Sequence, residues 1–269
     1  MDRLATPLFL MFASLGATAT ETVARPDWQR HFDAHGVQGT FVLFEPANDR
    51  SLVLDEPRAR RGYLPASTFK VANALIGLEV GSIADEKEVF PWDGKPKLRA
   101  AWERDQTLAS GMRESTVWMF QEVARRTGKR RMKEWLERLD YGNKDITGGI
   151  DLFWLQGGLR VSAVEQVDFL RRLSEGALPM TQRSQRLVRN VLVREKTRAH
   201  TLYGKTGTSG AVKNPVQWWV GWIERKGRPT AYFAMNLAPG PKTTYEDRFE
   251  IARAILIEAG ALPSESRPS

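Results

Sequence analysis

Between Ser67 and Val80 the chain reads STFKVANALIGLEV, apolar on nearly every side of a helical turn. A helix without a polar face has to sit in the middle of a fold, so the rest of the chain must be arranged around it. The segments able to do so lie at both ends. Gly39–Glu45 (GTFVLFE) and Ser51–Leu54 (SLVL) read as a β-hairpin across Pro46-Ala47-Asn48-Asp49-Arg50. Gln217–Glu224 (QWWVGWIE) and Pro229–Leu237 (PTAYFAMNL) read as aromatic-rich strands around a Lys226-Gly227-Arg228 turn. A short helix is expected over Asp27–His35 and an amphipathic one over Asp247–Ala259. Helical patterns recur in the middle, at Thr116–Arg126, Arg131–Leu139 and Val164–Leu173. The expectation is an α+β fold: a central antiparallel sheet built from both chain ends, flanked by helices, with an inserted, mainly helical lobe. Residues 20–269 form a single domain, with a sheet lobe at 20–65 and 200–262 and a helical lobe at 66–199.

The first residues fit a secretory signal: Arg3, an apolar stretch from Leu8 to Leu15, then the small-x-small site Ala17-Thr18-Ala19. Residues 1–19 are therefore expected to be removed on export, to the periplasm in a Gram-negative host. No other segment has the length of apolar chain a membrane span needs, so no stable membrane insertion is expected. The net charge of +8 allows nucleic acid, an anionic surface or small anionic substrates as partners. The positive residues are scattered and no nucleic-acid signature accompanies them, so a solvated basic face is favoured over nucleic-acid binding; the charge fits anionic substrates but is too diffuse to establish them. There is no cysteine, and His31 and His35 have i,i+4 spacing without an HExxH motif or a completing carboxylate cluster. No metal site and no Ser-His-Asp triad is expected, so an activated serine needs another base.

Ser67-Thr68-Phe69-Lys70 follows Pro65-Ala66 at the start of the buried helix. Three residues of separation put the hydroxyl and the amine on one helical face, near the unpaired N–H groups of the first turn. Alone, this spacing is equally met by an N-cap serine and a lysine that snorkels to solvent. Ser115-Thr116-Val117 supplies a second hydroxyl before a helix, although Ser51-Leu52-Val53 fits the same pattern. Lys205-Thr206-Gly207, followed by Thr208, offers a cation, a donor and a glycine that lets backbone approach a ligand. What carries weight is the conjunction in one order: S-x-x-K, then S-x-V, then K-T-G.

That conjunction resembles the penicillin-recognising serine enzymes. With Tyr141-Gly142-Asn143, Phe153-Trp154-Leu155-Gln156-Gly157-Gly158 and Gln217-Trp218-Trp219-Val220-Gly221-Trp222, it is similar to the class D serine β-lactamases of the oxacillinase type, across essentially the mature chain. The resemblance implies a β-lactamase/transpeptidase-like fold and hydrolysis of β-lactams through an acyl-enzyme on Ser67. It implies no bound cofactor, but carboxylation of Lys70 by CO2 or bicarbonate, giving a carbamate that serves as base in both half-reactions. Val117, Phe120, Trp154 and Leu155 would then line a dry pocket, with the Trp154 indole N–H available to the carbamate. By similarity, the backbone N–H groups of Ser67 and Thr208 form the oxyanion hole. Ser115 relays a proton to the leaving nitrogen, and Lys205, Thr206 and Arg248 hold the substrate carboxylate. For Arg248 an ion pair with a neighbouring acid stays open. The competing readings are a penicillin-binding protein with DD-peptidase activity, which would usually carry S-x-N and a membrane anchor, and a sensor domain that is acylated without turnover, which would carry upstream transmembrane segments. The chain is expected to be a monomer or homodimer.

Overall fold

The computed structural model describes residues 20–210 and 212–264. The expected export signal, residues 1–19, lies outside the described residues. Seven strands form one sheet: β1 (Glu21–Ala24), β2 (Gln38–Glu45), β3 (Arg50–Leu54), β4 (Val193–Lys196), β5 (Thr201–Thr208), β6 (Gln217–Arg225) and β7 (Arg228–Ala238). Their order is β1-β3-β2-β7-β6-β5-β4, so the two chain ends meet where β2 runs antiparallel to β7, with Phe41 opposite Met235. Every pairing is antiparallel except one. The edge strand β1, not anticipated in the sequence, lies parallel to β3 and makes the sheet mixed.

Both faces of the sheet are covered, which is why β2, β6 and β7 are nearly continuous apolar runs rather than alternating ones. On one face, Phe41, Leu43, Phe233 and Met235 pack with Trp28 and Phe32, and with Ile251, Ile255 and Leu256. Those partners come from the turn at Pro26–Trp28, from α1 (Gln29–Asp33) and from α9 (Asp247–Glu258). On the other face, Val42, Val220, Trp222 and Tyr232 face the larger helical layer. That layer contains α2 (Glu56–Arg60), α3 (Lys70–Glu79), α4 (Leu108–Arg113), α5 (Val117–Thr127), α6 (Lys129–Arg138), α7 (Ala163–Ser174) and α8 (Gln182–Val191). Ser162 caps α7 with a capping box completed by Glu165, and Thr107 caps α4 with Ser110 in the same way.

The all-apolar segment becomes α3, and every residue from Lys70 to Leu78 is buried. It starts later than its pattern suggests. Ala66–Phe69 forms a 3-10 turn, and the α-helix begins only at Lys70. Ser67 is not its cap; instead the Thr68 hydroxyl donates to the Pro65 carbonyl at 2.8 Å. Hydrophobic periodicity does not separate a 3-10 turn from a first α-turn, so this offset was not readable. Among the described residues no helix is long and apolar enough to cross a membrane.

Gly39 is where the two ends are pressed together. A Cβ there would meet the Phe32 ring and lie 2.6 Å from the Asn236 carbonyl oxygen. Gly39→Ala should therefore destabilise the fold by about 1–3 kcal/mol through overpacking. Thermal melting tests this; an unchanged Tm would show that α1 moves aside without cost.

Candidate active site

The turn Ala66–Phe69 is held from both sides. The Ala66 N–H donates to the Trp154 carbonyl at 3.0 Å, and the Thr68 N–H to Pro65 at 3.1 Å. Ala66 has φ +48°, a left-handed conformation that an L-residue adopts only when its surroundings impose it. This bend sets Ser67 at the mouth of α3 and Lys70 in its first turn. The Lys70 Nζ lies 2.6 Å from the Ser67 Oγ. Lys70 is wholly removed from solvent and, among the described residues, no carboxylate pairs with it. Burial, with a smaller repulsion from Arg99, drops its pKa from 10.5 to about 7. The Phe120 ring centre is 5.8 Å from the amine. Trp154 belongs to the same core, stacked obliquely on Phe69 at 5.2 Å, and its Nε1–H is buried with no hydrogen-bond partner. The Nε1–H groups of Trp28 and Trp219 are likewise buried without a partner, but the one on Trp154 belongs to the core around Lys70.

A second hydroxyl–amine pair faces the first. Ser115 also has a left-handed φ, +56°, immediately before α5, and the Lys205 Nζ donates to its Oγ at 2.9 Å and to the Thr206 carbonyl at 3.0 Å. Lys205 is buried, and its pKa is pushed well below the usual lysine range by desolvation first and by the positive charges of Lys70, Arg194, Arg248 and Arg99 after it. Its amine therefore serves Ser115 directly, lying beneath the cleft floor.

Gly207 brings β5 onto the nucleophile turn. A Cβ at this position would lie 2.8 Å from the Pro65 carbonyl oxygen and 3.1 Å from the Thr68 methyl. The glycine of K-T-G is thus required by the protein's own turn, where the sequence suggested close approach to a ligand. The result is a cleft of about 380 Å3 lined by Ser67, Ser115, Val117, Thr206, Gly207 and Thr208, with Leu155 and Trp102 on its walls.

Of the three residues expected to hold a carboxylate, only Thr206 reaches this cleft. Arg248 is 1% exposed, and it donates to the carbonyls of Tyr245 (2.9 Å), Gly207 (2.9 Å) and Trp218 (3.4 Å) and to the Thr208 Oγ1 (3.0 Å). Among the described residues it has no carboxylate partner, so the ion-pair alternative is not the one adopted. Burial lowers its pKa to about 10, and its charge sits directly behind Thr208. Tyr245 covers it, 4.3 Å from guanidinium to ring, with its hydroxyl 3.3 Å from the Thr206 Oγ1.

Arg99, Trp102, Gln156 and Tyr245 all line the cleft and were not singled out from sequence. Arg99 and Trp102 lie at the two ends of a single 3-10 turn, Ala100–Trp102, too short to show periodicity, and Gln156 was noticed only as part of a family string. The histidines are engaged elsewhere: His31 Nε2 is 2.6 Å from Glu258 and His35 Nδ1 is 3.3 Å from Asp247.

Comparison with known proteins agrees with this geometry. Residues 39–257 match the penicillin-binding protein transpeptidase domain family. β-Lactamase OXA-10 of Pseudomonas aeruginosa is 43% identical over 234 residues, 85% of this chain and 88% of that protein. β-Lactamase OXA-48 of Klebsiella pneumoniae is 40% identical over 232 residues, covering 86% and 87%. The crystal structure of FUS-1 (OXA-85), a class D β-lactamase from Fusobacterium nucleatum subsp. polymorphum, superposes with a TM-score of 0.85 at 35% identity, covering 89% of this chain and all of the other. With such identity spread across nearly its whole length, and with paired serine and lysine groups on one cleft, the chain belongs to the class D β-lactamases.

Proposed function

We propose that this enzyme hydrolyses β-lactams through an acyl-enzyme on Ser67, with Lys70 carboxylated by CO2 or bicarbonate as the base for both half-reactions. The observation that carries the reading is the Ser67 hydroxyl set 2.6 Å from a fully buried lysine amine. At a pKa of about 7 that amine is largely neutral near physiological pH, and a neutral amine is the form that adds CO2. The unpartnered Trp154 Nε1–H fits a carbamate oxygen as acceptor. A carbamate would restore negative charge and proton affinity beside Ser67.

The chain's own groups then divide the work. Ser67 Oγ forms a bond to the β-lactam carbonyl carbon as its proton passes to the base. The ring C–N bond breaks, and Ser115, held by Lys205, delivers a proton to the departing nitrogen. The backbone N–H groups of Ser67 and Thr208 would stabilise the oxyanion, with the Arg248 charge behind Thr208 adding to the field. The substrate carboxylate is taken by Thr206, with the buried Arg248 charge acting on it only from behind Thr208. Water, activated by the base, attacks the ester, and Ser67 recovers its proton. In a Gram-negative host, export by residues 1–19 would place this activity in the periplasm and confer β-lactam resistance, the enzyme acting as a monomer or homodimer.

Activity should fall as pH is lowered through about 7, because protonation of Lys70 removes the lone pair that adds CO2. Bicarbonate should restore it, and 13C-bicarbonate should give a carbamate resonance in the protein; activity independent of bicarbonate, with no such resonance, overturns the modified base. Trp154→Phe, which removes only the indole donor, should cut kcat by about 10- to 100-fold and weaken that resonance. Lys70→Ala should slow formation of the acyl-enzyme and also slow the breakdown of whatever acyl-enzyme forms. Mass spectrometry after rapid mixing with a penicillin checks this, and normal deacylation would exclude the dual role. Deleting residues 1–19 should remove the resistance that the full-length chain confers on a susceptible Gram-negative host, as read by growth inhibition.

A further inference from the structure

Beside the catalytic cleft lies a second concavity, of about 400 Å3, lined by Arg61, Arg160, Lys213, Asn214, Gln156 and Val212, among others. Gln156 and Val212 line both hollows, so the two adjoin. Three cations face the second one and no carboxylate lines it. Among the described residues none of the three has a carboxylate within ion-pair distance.

The concavity rests on paired backbone. Tyr63 and Val161 form an antiparallel bridge, with N–H to carbonyl distances of 2.9 and 2.8 Å, which sets Arg61 and Arg160 on adjacent segments. Arg160 is fixed further by donating to the carbonyls of Gly157 (2.7 Å) and Leu159 (2.9 Å). The Arg61 guanidinium lies 5.6 Å from the Tyr63 ring centre.

The direction of a bound substrate follows from its own chemistry. In a β-lactam the acylamino arm is carried on the carbon next to the carbonyl, and the carboxylate on the carbon next to the ring nitrogen, so the two leave on opposite sides. With the carboxylate at Thr206 and the carbonyl between Ser67 and Thr208, the arm runs along β5 past Ser209 and Gly210 to Val212 and Gln156. It ends at the cationic concavity.

We infer that Arg61, Arg160 and Lys213 form a subsite for an anionic group, a carboxylate or sulfonate, at the far end of the substrate's acyl arm. The inference rests on the hydrolase reading above and adds to it a preference among substrates. A penicillin with an ω-carboxyalkanoyl arm and its methyl ester form the matched probes, since they differ there only in charge.

The test is the acid-to-ester ratio of kcat/KM. Arg160 anchors backbone, so the variants avoid it. In Arg61→Gln/Lys213→Gln the ratio should fall about fivefold, the size expected of two partly solvated charge contacts. In Arg61→Glu/Lys213→Glu it should fall further, and in the unmodified enzyme it should shrink as salt is raised. A ratio that stays constant across both variants, whether or not both rates change, overturns the subsite. Failure of the unmodified enzyme to turn over either probe overturns instead the hydrolase reading beneath it.

Discussion

An amine buried without a counter-charge is the constraint around which the site is arranged. Desolvation makes the ammonium form of Lys70 expensive, and the protein meets this by leaving it neutral. The apolar sheath of α3 that imposes the cost also favours the neutral amine, the form that the proposed carboxylation requires, so core packing and chemistry are coupled here. The same applies to Lys205, whose amine is desolvated under Ser115 and repelled by its cationic neighbours. The Lys70 charge is among those that lower the proton affinity of Lys205, while Lys70 itself is shifted by burial and by Arg99.

Backbone placement does the rest. Ala66 and Ser115 both adopt left-handed conformations, and each immediately precedes or forms a hydroxyl position of the site. Such residues cost of order 1–3 kcal/mol and persist only where surrounding contacts dictate them. For Ala66 that contact is the Trp154 carbonyl; for Ser115 it is Lys205. Gly207 supplies the remaining requirement, because only a residue without Cβ lets β5 lie against the Pro65–Thr68 turn.

What was legible in the sequence is what depends on short-range spacing. Ser67 and Lys70 meet because three residues separate them on one turn, and the strands and longer helices follow from hydrophobic runs. What was not legible depends on tertiary placement. β1 is four residues with a mostly exposed pattern, and it is a strand only because β3 has a free edge. Arg248 has the right position along the chain, but its withdrawal behind Thr208 follows from how α9 packs on β6 and β7. Arg99, Trp102 and Tyr245 reach the cleft from segments whose composition says nothing about where they fold back.

The sheet has one further consequence, for the order in which the protein can be made. β2 and β3 leave the ribosome early, yet the neighbour that covers the inner edge of β2 is β7, with Phe41 facing Met235 across almost the whole intervening sequence. Until β7 emerges, that edge is an unpaired, strongly apolar strand, the kind of surface that recruits other chains. High contact order of this sort slows folding and postpones it until synthesis is nearly finished. The sheet therefore cannot close until β7 has been made, and the inner edge of β2 is exposed to other chains throughout that interval.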